Sequence, residues 1–203
     1  RSLSSAASDV YKRQTQRVPN KMDKIKGDTF IDVYLIGSIK SFNIRVDHRD
    51  KKSLNVIKKN IEVKLPSIQY ATERNGLTLC WVSNDEYLLL NQKKENDTLL
   101  KEFQKQMNLT TGVAENTTDL RVWFLIKGNR ALDILRKGVP LDLEKSKISK
   151  SNFLRTRLGE IQINILFKSL DEILVSVLRS HKDYMIEWFE VCTRRGTEIN
   201  FDL

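Results

Sequence analysis

Leu54-Asn55-Val56-Ile57-Lys58-Lys59-Asn60-Ile61 recurs 78 residues later as Leu132-Asp133-Ile134-Leu135-Arg136-Lys137-Gly138-Val139. Residue class is kept at nearly every position. Both stretches place apolar side chains on one helical face and end near a residue tolerant of positive φ, Asn60 or Gly138. A second pair, Asp85-Glu86-Tyr87-Leu88-Leu89-Leu90 and Asp171-Glu172-Ile173-Leu174-Val175-Ser176, recurs at an offset of 86. Extending that register pairs Asp97 with Asp183, Leu100 with Ile186 and Phe103 with Phe189. The eight-residue difference predicts an insertion around residues 141–151. The chain therefore reads as an internal repeat.

Working outward, each half predicts strand, helix, meander, helix. Residues 30–36 and 42–46 are β-branched and aromatic, and predict strands. Residues 53–61 predict a helix ended by Asn60, and Leu65-Pro66 blocks its continuation. Strands follow at 68–72, 77–82 and 87–90, with Asn75-Gly76 as a type I′ hairpin turn. Asn96 is placed to cap a helix whose apolar face is Leu99, Leu100, Phe103 and Met107. In the second half a strand at 122–126 precedes a helix at 129–137, with Gly138 as its C-cap and Pro140 beyond. Strands at 154–158, 161–167 and 173–178 turn first at Gly159. Ser180 with Asp183 is placed to cap a last helix striped by Met185, Trp188, Phe189 and Cys192. The expected division is 29–112 and 113–195, with a flexible lead-in at 15–28 and a C-terminal tail at 196–203. Residues 4–14 read as a translated sequencing adapter, so 1–14 is set aside as not structured. A half of about 85 residues buries only a modest core alone, so the two halves are expected to pack on each other.

Composition narrows the class. The net charge is +9; without residues 1–14, which hold three basic and one acidic residue, it is 32 − 25 = +7. The basic side chains are scattered, with Lys58-Lys59, Lys93-Lys94 and Lys145, Lys147, Lys150 in separate segments and no interleaved aromatics that would stack bases. No apolar run approaches the ~20 residues that cross a bilayer. Cys80 and Cys192 lie far apart and fit a reducing cytoplasm. The expectation is a cytoplasmic protein with neither membrane nor nucleic acid as partner.

Catalytic signatures are missing. The eight glycines are isolated, and no phosphate-cradling loop, metal-ligand spacing or nucleophile elbow occurs. His48 stands in a charged loop and His181 at a helix start, neither with a partner that would make it a general base. Asp85-Glu86 and Asp171-Glu172 are carboxylate pairs of a kind used in acid–base chemistry, but both feed strands from turns, where acidic residues are ordinary. Trp81, Trp123 and Trp188 lie in apolar faces and predict packing. Arg194-Arg195 ends the last helix and complements its dipole. The expected sets of catalytic, cofactor-binding and metal-binding residues are all empty.

Several segments resemble the gamma subunit family of heterotetrameric sarcosine oxidase. Cys80-Trp81-Val82-Ser83-Asn84-Asp85-Glu86-Tyr87-Leu88-Leu89 resembles its W-L-G-P-D-E-W-L-L box. Residues 126–143, from Ile126-Lys127-Gly128 to Leu141-Asp142-Leu143, resemble its G-x-x-A-r-d-v-L-a-K-G-c-p-l-D-L stretch. Arg179-Ser180-His181-Lys182-Asp183-Tyr184 through Trp188 resembles its R-S-F-x-x-Y-x-x-x-W ending, and Leu65-Pro66 a short earlier mark. Ser83-Asn84, Val139, Glu144 and His181 depart from the pattern, as in a divergent member or a sister family. The resemblance implies an α+β fold of two ferredoxin-like halves, similar to the folate-binding aminomethyltransferase domain. It implies a non-catalytic subunit that packs directly on an alpha subunit, with beta and delta subunits completing a flavin-dependent complex. FAD, FMN, NAD, tetrahydrofolate and zinc would be held by those partners and no cofactor by this chain. The complex would demethylate sarcosine oxidatively to glycine, pass the one-carbon unit to tetrahydrofolate and release hydrogen peroxide. Two alternatives stand beside it: a free-standing folate binder, with Glu86 or Glu172 gripping the pterin, and a basic α+β nucleic-acid module.

Overall fold

A computed structural model describes residues 22–199; the segment 1–14, and residues 15–21 and 200–203 of the two terminal segments, lie outside the described residues. The strands are β1 Asp23–Lys24, β2 Asp32–Gly37, β3 Lys40–Arg45, β4 Ala71–Arg74, β5 Leu77–Ser83, β6 Glu86–Asn91, β7 Val113–Asn116, β8 Arg121–Lys127, β9 Phe153–Leu158, β10 Ile161–Phe167 and β11 Glu172–Leu178. The helices are α1 Lys51–Ile61, α2 Asp97–Met107, α3 Ala131–Arg136 and α4 Lys182–Cys192. Two antiparallel sheets result, one ordered β1-β2-β8-β11-β10-β9 and the other β4-β5-β6-β3-β7.

The repeat read from the sequence is real in space. β3-α1-β4-β5-β6-α2 and β8-α3-β9-β10-β11-α4 follow one plan, and in both the first strand lies beside the last strand of its own meander. The fifth strand of each sheet comes from the other half. β2 precedes β3 in the chain but pairs with β8, and β7 precedes β8 but pairs with β3. The strand expected at 30–36 thus belongs to the sheet of the second half, and the strand that opens the second half belongs to the sheet of the first. The edge is closed by symmetry as well: Ala71 N donates to Ser151 O and Phe153 N to Gln69 O, both at 2.7 Å. Gln69 and Ser151 each take positive φ, +63° and +72°, at equivalent places in the repeat.

The layers are helix, sheet, sheet, helix. Under α1 and α2, Phe42, Ile44, Ile57, Leu79, Leu89, Leu100 and Phe103 form one core. Under α3 and α4, Val122, Phe124, Ile134, Ile163, Val175, Met185 and Phe189 form a second. Between the sheets a third contains Cys80, Leu88, Leu90, Trp123, Leu125, Phe153, Leu166 and Leu174. Successive strand residues alternate faces. Strands buried on both sides must therefore be apolar nearly throughout, as Leu77-Thr78-Leu79-Cys80 and Val122-Trp123-Phe124-Leu125-Ile126 are.

Several local expectations are corrected. The eight extra residues of the second half are not one insertion at 141–151. The offset grows from 78 at the helices to 82 at Gln69/Ser151, to 84 at the Asn75-Gly76 and Gly159-Glu160 turns, and to 86 at Glu86/Glu172, so four fall in the loop and two each in the hairpin and the next turn. The left-handed residue after α1 is Glu62, φ +52°, and Asn60 remains helical, donating to Val56 O and Gln106 Oε1. Asn96 occupies the N-cap position of α2 as expected, but its side chain makes no cap hydrogen bond; its amide donates to Asn75 O and Asn91 Oδ1. No side-chain cap forms at Ser180 either, because residues 179–181 turn as a 3-10 segment. Within the segment 15–28, Asp23–Lys24 forms β1 and pairs with β2, and Ile25 is buried in the core under α3 and α4. Asn75 and Gly76 do take φ +53° and +78°, as the hairpin requires.

Gly138 has no left-handed backbone. A Cβ there would stand 3.0 Å from Trp188 Cζ2 and 3.3 Å from Leu158 Cγ, so any larger residue makes those side chains give by a few tenths of an ångström. Gly138→Asn, harmless at a left-handed C-cap, is expected to destabilise the chain by about 1–3 kcal/mol through overpacking, measured by urea unfolding; a neutral result would show that Trp188 and Leu158 yield without cost.

The cap of α1 is Asp50, whose carboxylate accepts from Lys52 N at 2.9 Å, from Thr111 Oγ1 at 2.6 Å and from Ser53 Oγ. The Ser53 hydrogen bond, then that of Thr111, draws its pKa down to about 2. A folded pKa below the unfolded value contributes stability above about pH 4, lost as pH falls toward 2. Melting temperature followed from pH 5 to pH 2 is expected to fall less steeply for Asp50→Asn than for the parent; parallel curves would remove this carboxylate from the account.

Candidate functional site

The acidic, histidine and tryptophan residues singled out in the sequence do not converge. Asp85 is exposed in its turn and accepts from Ser83 Oγ at 2.7 Å, the contact that chiefly holds its carboxyl below the usual range. It shares a surface groove with Arg45, His48 and Thr111. His48 Nε2 is 3.2 Å from the buried Tyr87 hydroxyl. Asp171 lies exposed in the turn before β11, and its carbonyl accepts from Gly128 N. His181 ends the 3-10 segment before α4. Trp123 is fully buried between the sheets, Trp188 packs edge-on to Phe189 at 5.3 Å, and Trp81 is partly buried beside the core under α1 and α2. Beyond the end of α4, Arg195 pairs with Asp28 at 2.8 Å, and Arg194 bridges to Thr29. That junction fastens the C-terminal end of the last helix to the segment before β2.

The two glutamates of the repeat have a shared geometry. Glu86 begins β6 and Glu172 begins β11, so both face the space between the sheets, at opposite ends. At each end the repeated glutamate meets a cation from the first strand of the other half. Glu86 shares its cleft with Arg121 on β8, and Glu172 shares its groove with Lys40 on β3.

The two ends differ in chemistry. The Glu172 end is a groove of about 520 Å³ floored by Ile36, Ile39, Leu125 and Leu174. Of its three lysines, Lys40 pairs with Asp97 and Lys168 with Glu73, each at 2.7 Å, and Lys93 is the third. The Glu86 end is a narrow cleft of about 60 Å³ lined by Asn43, Glu86, Arg121, Arg155 and Asn164. Glu86 accepts from Asn43 Nδ2 at 2.9 Å and from Arg45 Nη2 at 3.4 Å. Burial, and next the charge of Arg155, push the Arg121 guanidinium below its ordinary pKa, with Glu86 opposing.

Polar atoms without partners concentrate around the narrow end. Arg155, Asn164, Ser176 and Trp123 are cross-strand neighbours in a single row over β9, β10, β11 and β8. Asn164 Oδ1, Ser176 Oγ and Trp123 Nε1 are buried with no hydrogen bond, as are Asn43 Oδ1 and Arg121 Nη1 nearby and Thr78 Oγ1 on β5. An unmet buried polar group costs about 1–3 kcal/mol, so such a cluster marks a place where the interior is not built for stability alone. Of the residues around this end, the sequence singles out Glu86 and, as a packing residue, Trp123. The available signal was Asn164 and Ser176 interrupting the apolar runs Ile161-Gln162-Ile163-Asn164-Ile165 and Ile173-Leu174-Val175-Ser176-Val177. Among the described residues no group of three or more His, Cys, Asp or Glu side chains could hold a metal ion, and no helix is long and apolar enough to cross a membrane.

No protein-family model matches the chain, and no curated protein sequence does. Solved structures do. The chain superposes on a chain of a heterotetrameric sarcosine oxidase from Corynebacterium sp. U-96, determined in complex with pyrrole 2-carboxylate, with a TM-score of 0.76 and 17% identity over 87% of this chain and 90% of that one. It also superposes on the glycine cleavage system aminomethyltransferase T from Bartonella henselae, with a TM-score of 0.56 and 13% identity over 77% of this chain. In that match it spans 44% of the aminomethyltransferase chain. The α+β fold of two sheet-and-helix halves is therefore one that this chain shares with a chain of a sarcosine oxidase complex and with part of an aminomethyltransferase.

Proposed function

We propose that this chain is a non-catalytic, gamma-type subunit of a heterotetrameric, flavin-dependent amine oxidase of the sarcosine oxidase kind. The observation that carries the reading is the end-to-end superposition on one chain of such a complex. Coverage of 87% here and 90% there means that the two chains are of similar length and share their whole architecture, not one embedded domain. The boxes at residues 80–89, 126–143 and 179–188 support it independently; they lie on β5-β6, on the β8-α3 unit and on the start of α4. The scattering of His48, His181, Asp85 and Asp171 supports a structural role for the chain. In this reading the alpha subunit is the direct neighbour, and flavins, NAD, tetrahydrofolate and zinc belong to the partner subunits. The reaction served is oxidative demethylation of sarcosine, with transfer of the one-carbon unit to tetrahydrofolate and release of hydrogen peroxide.

The aminomethyltransferase likeness favours a second reading, a folate binder, with Glu86 or Glu172 holding the pterin at one end of the inter-sheet space. The two separate in one preparation. Isolated from its native cells through an affinity tag, the chain is expected to bring down a larger subunit with the visible absorbance of flavin, and the complex to produce hydrogen peroxide from sarcosine. The chain alone is expected to bind no flavin and to release no heat with tetrahydrofolate in calorimetry. A chain that purifies without a flavin-bearing partner overturns the first reading, and saturable heat with tetrahydrofolate establishes the second.

A further inference from the structure

We propose that the narrow cleft between the sheets binds a small carboxylate that also carries a hydrogen-bond donor, such as a two-carbon hydroxy acid. The chemistry of its walls selects this class. Arg121 and Arg155 both face the cleft, Arg155 with Nε and Nη2 donating to the Gln162 side-chain oxygen at 2.7 and 2.9 Å, and the one carboxylate lining it, Glu86, is already engaged by Asn43 and Arg45. Arginine does not shed its proton in proteins, so the buried end of Arg121 calls for an anion. Its Nη1 is buried and unpartnered. A guanidinium presents its donors in a planar fork that matches a carboxylate. Facing it, Asn43 Oδ1 and Asn164 Oδ1 are unpartnered acceptors, and Asn164 is only 3% exposed. They require an O–H or N–H on the ligand. A water molecule needs about 10–15 Å³ of such space. The cleft's 60 Å³ therefore admits only a few heavy atoms.

The opposite end of the same inter-sheet space is an internal comparison. The repeated glutamate is present and meets lysines, of which Lys40 and Lys168 are paired, and none of the residues lining that groove has a buried side-chain atom without a partner. The repeat built both ends, and only one has unmet donors and acceptors together. This inference concerns the chain by itself and does not rest on its membership of a complex.

The test is a titration of the full-length, isotope-labelled chain with glycolate, reading the arginine Nε–H signals by NMR. Arg121 and Arg155 signals are expected to shift saturably. Acetate, which lacks the donor, is expected to bind at least about tenfold more weakly, because the two asparagine oxygens stay unpaired. Arg155→Gln, at an exposed position of edge strand β9 where the inter-sheet face opens to solvent, is expected to leave the fold intact, checked by the amide spectrum, and to weaken glycolate at least about tenfold. Three results overturn the proposal: no saturation at concentrations well above about 1 mM, equal shifts with sodium chloride at matched ionic strength, or unchanged affinity in Arg155→Gln. A blocked glutamate peptide serves as a further arm. Saturation by the peptide and not by glycolate would mean that the carboxylate is a partner's side chain, and the free-acid assignment falls.

Discussion

Each sheet of this protein is apolar on both faces and must be covered twice. One face of each meets a pair of helices from its own half. The other can be buried only against the other sheet, where Leu88, Leu90, Trp123, Leu125, Phe153 and Leu174 form a single layer. Neither half is complete on its own, and the exchange of β2 and β7 makes that dependence covalent in effect: each half holds a strand of its partner in main-chain hydrogen bonds. The junction of Gln69, Tyr70, Ser151 and Asn152 joins the sheets edge to edge at symmetric positions. Two non-glycine residues are held there in left-handed backbone, which costs energy and persists because the surrounding pairing leaves no other path.

This symmetry also explains the two Asp-Glu pairs that look, in sequence, like a candidate for acid–base chemistry. They are one structural position written twice. Each glutamate begins the last strand of a meander and opposes a base on the first strand of the other half. Because the sheets are related by the repeat, the two positions fall at opposite ends of the inter-sheet space, too far apart in the architecture to act on one substrate. What distinguishes the ends is local. One is a groove in which Lys40 and Lys168 are paired over an apolar floor, the other a tight cleft in which polar atoms of Arg121, Asn43 and Asn164 are left unmatched.

Much of the fold was legible because its signals are local. Hydrophobic period separates α1 from the strands, Asn75-Gly76 reports its own turn, and the Leu54/Leu132 and Asp85/Asp171 matches carry the repeat. The misreadings share a cause. Asn60, Asn96, Ser180 and Gly138 are residues of cap-forming type, but whether such a side chain or backbone caps a helix is decided by what else it meets. Asn60 is drawn to Gln106 on α2, Asn96 to the hairpin, and Gly138 is fixed by the Trp188 ring. Asp50 was the missed cap, and its part in holding Thr111 comes from a loop 61 residues away.

By itself, the sequence determined the element types, their order and the twofold repeat, since those follow from side-chain period and turn chemistry within a few residues. It also determined that the usual fingerprints of nucleotide, metal and nucleophile chemistry are missing. Only the tertiary structure decided which strands pair across the halves and where the repeated glutamates face. It alone placed Arg121 and Arg155, on strands at two separate places in one sheet, around the same buried asparagine. Pairing of that kind is chosen by the burial of whole faces, a sum over residues far apart in the chain that no short window of sequence contains.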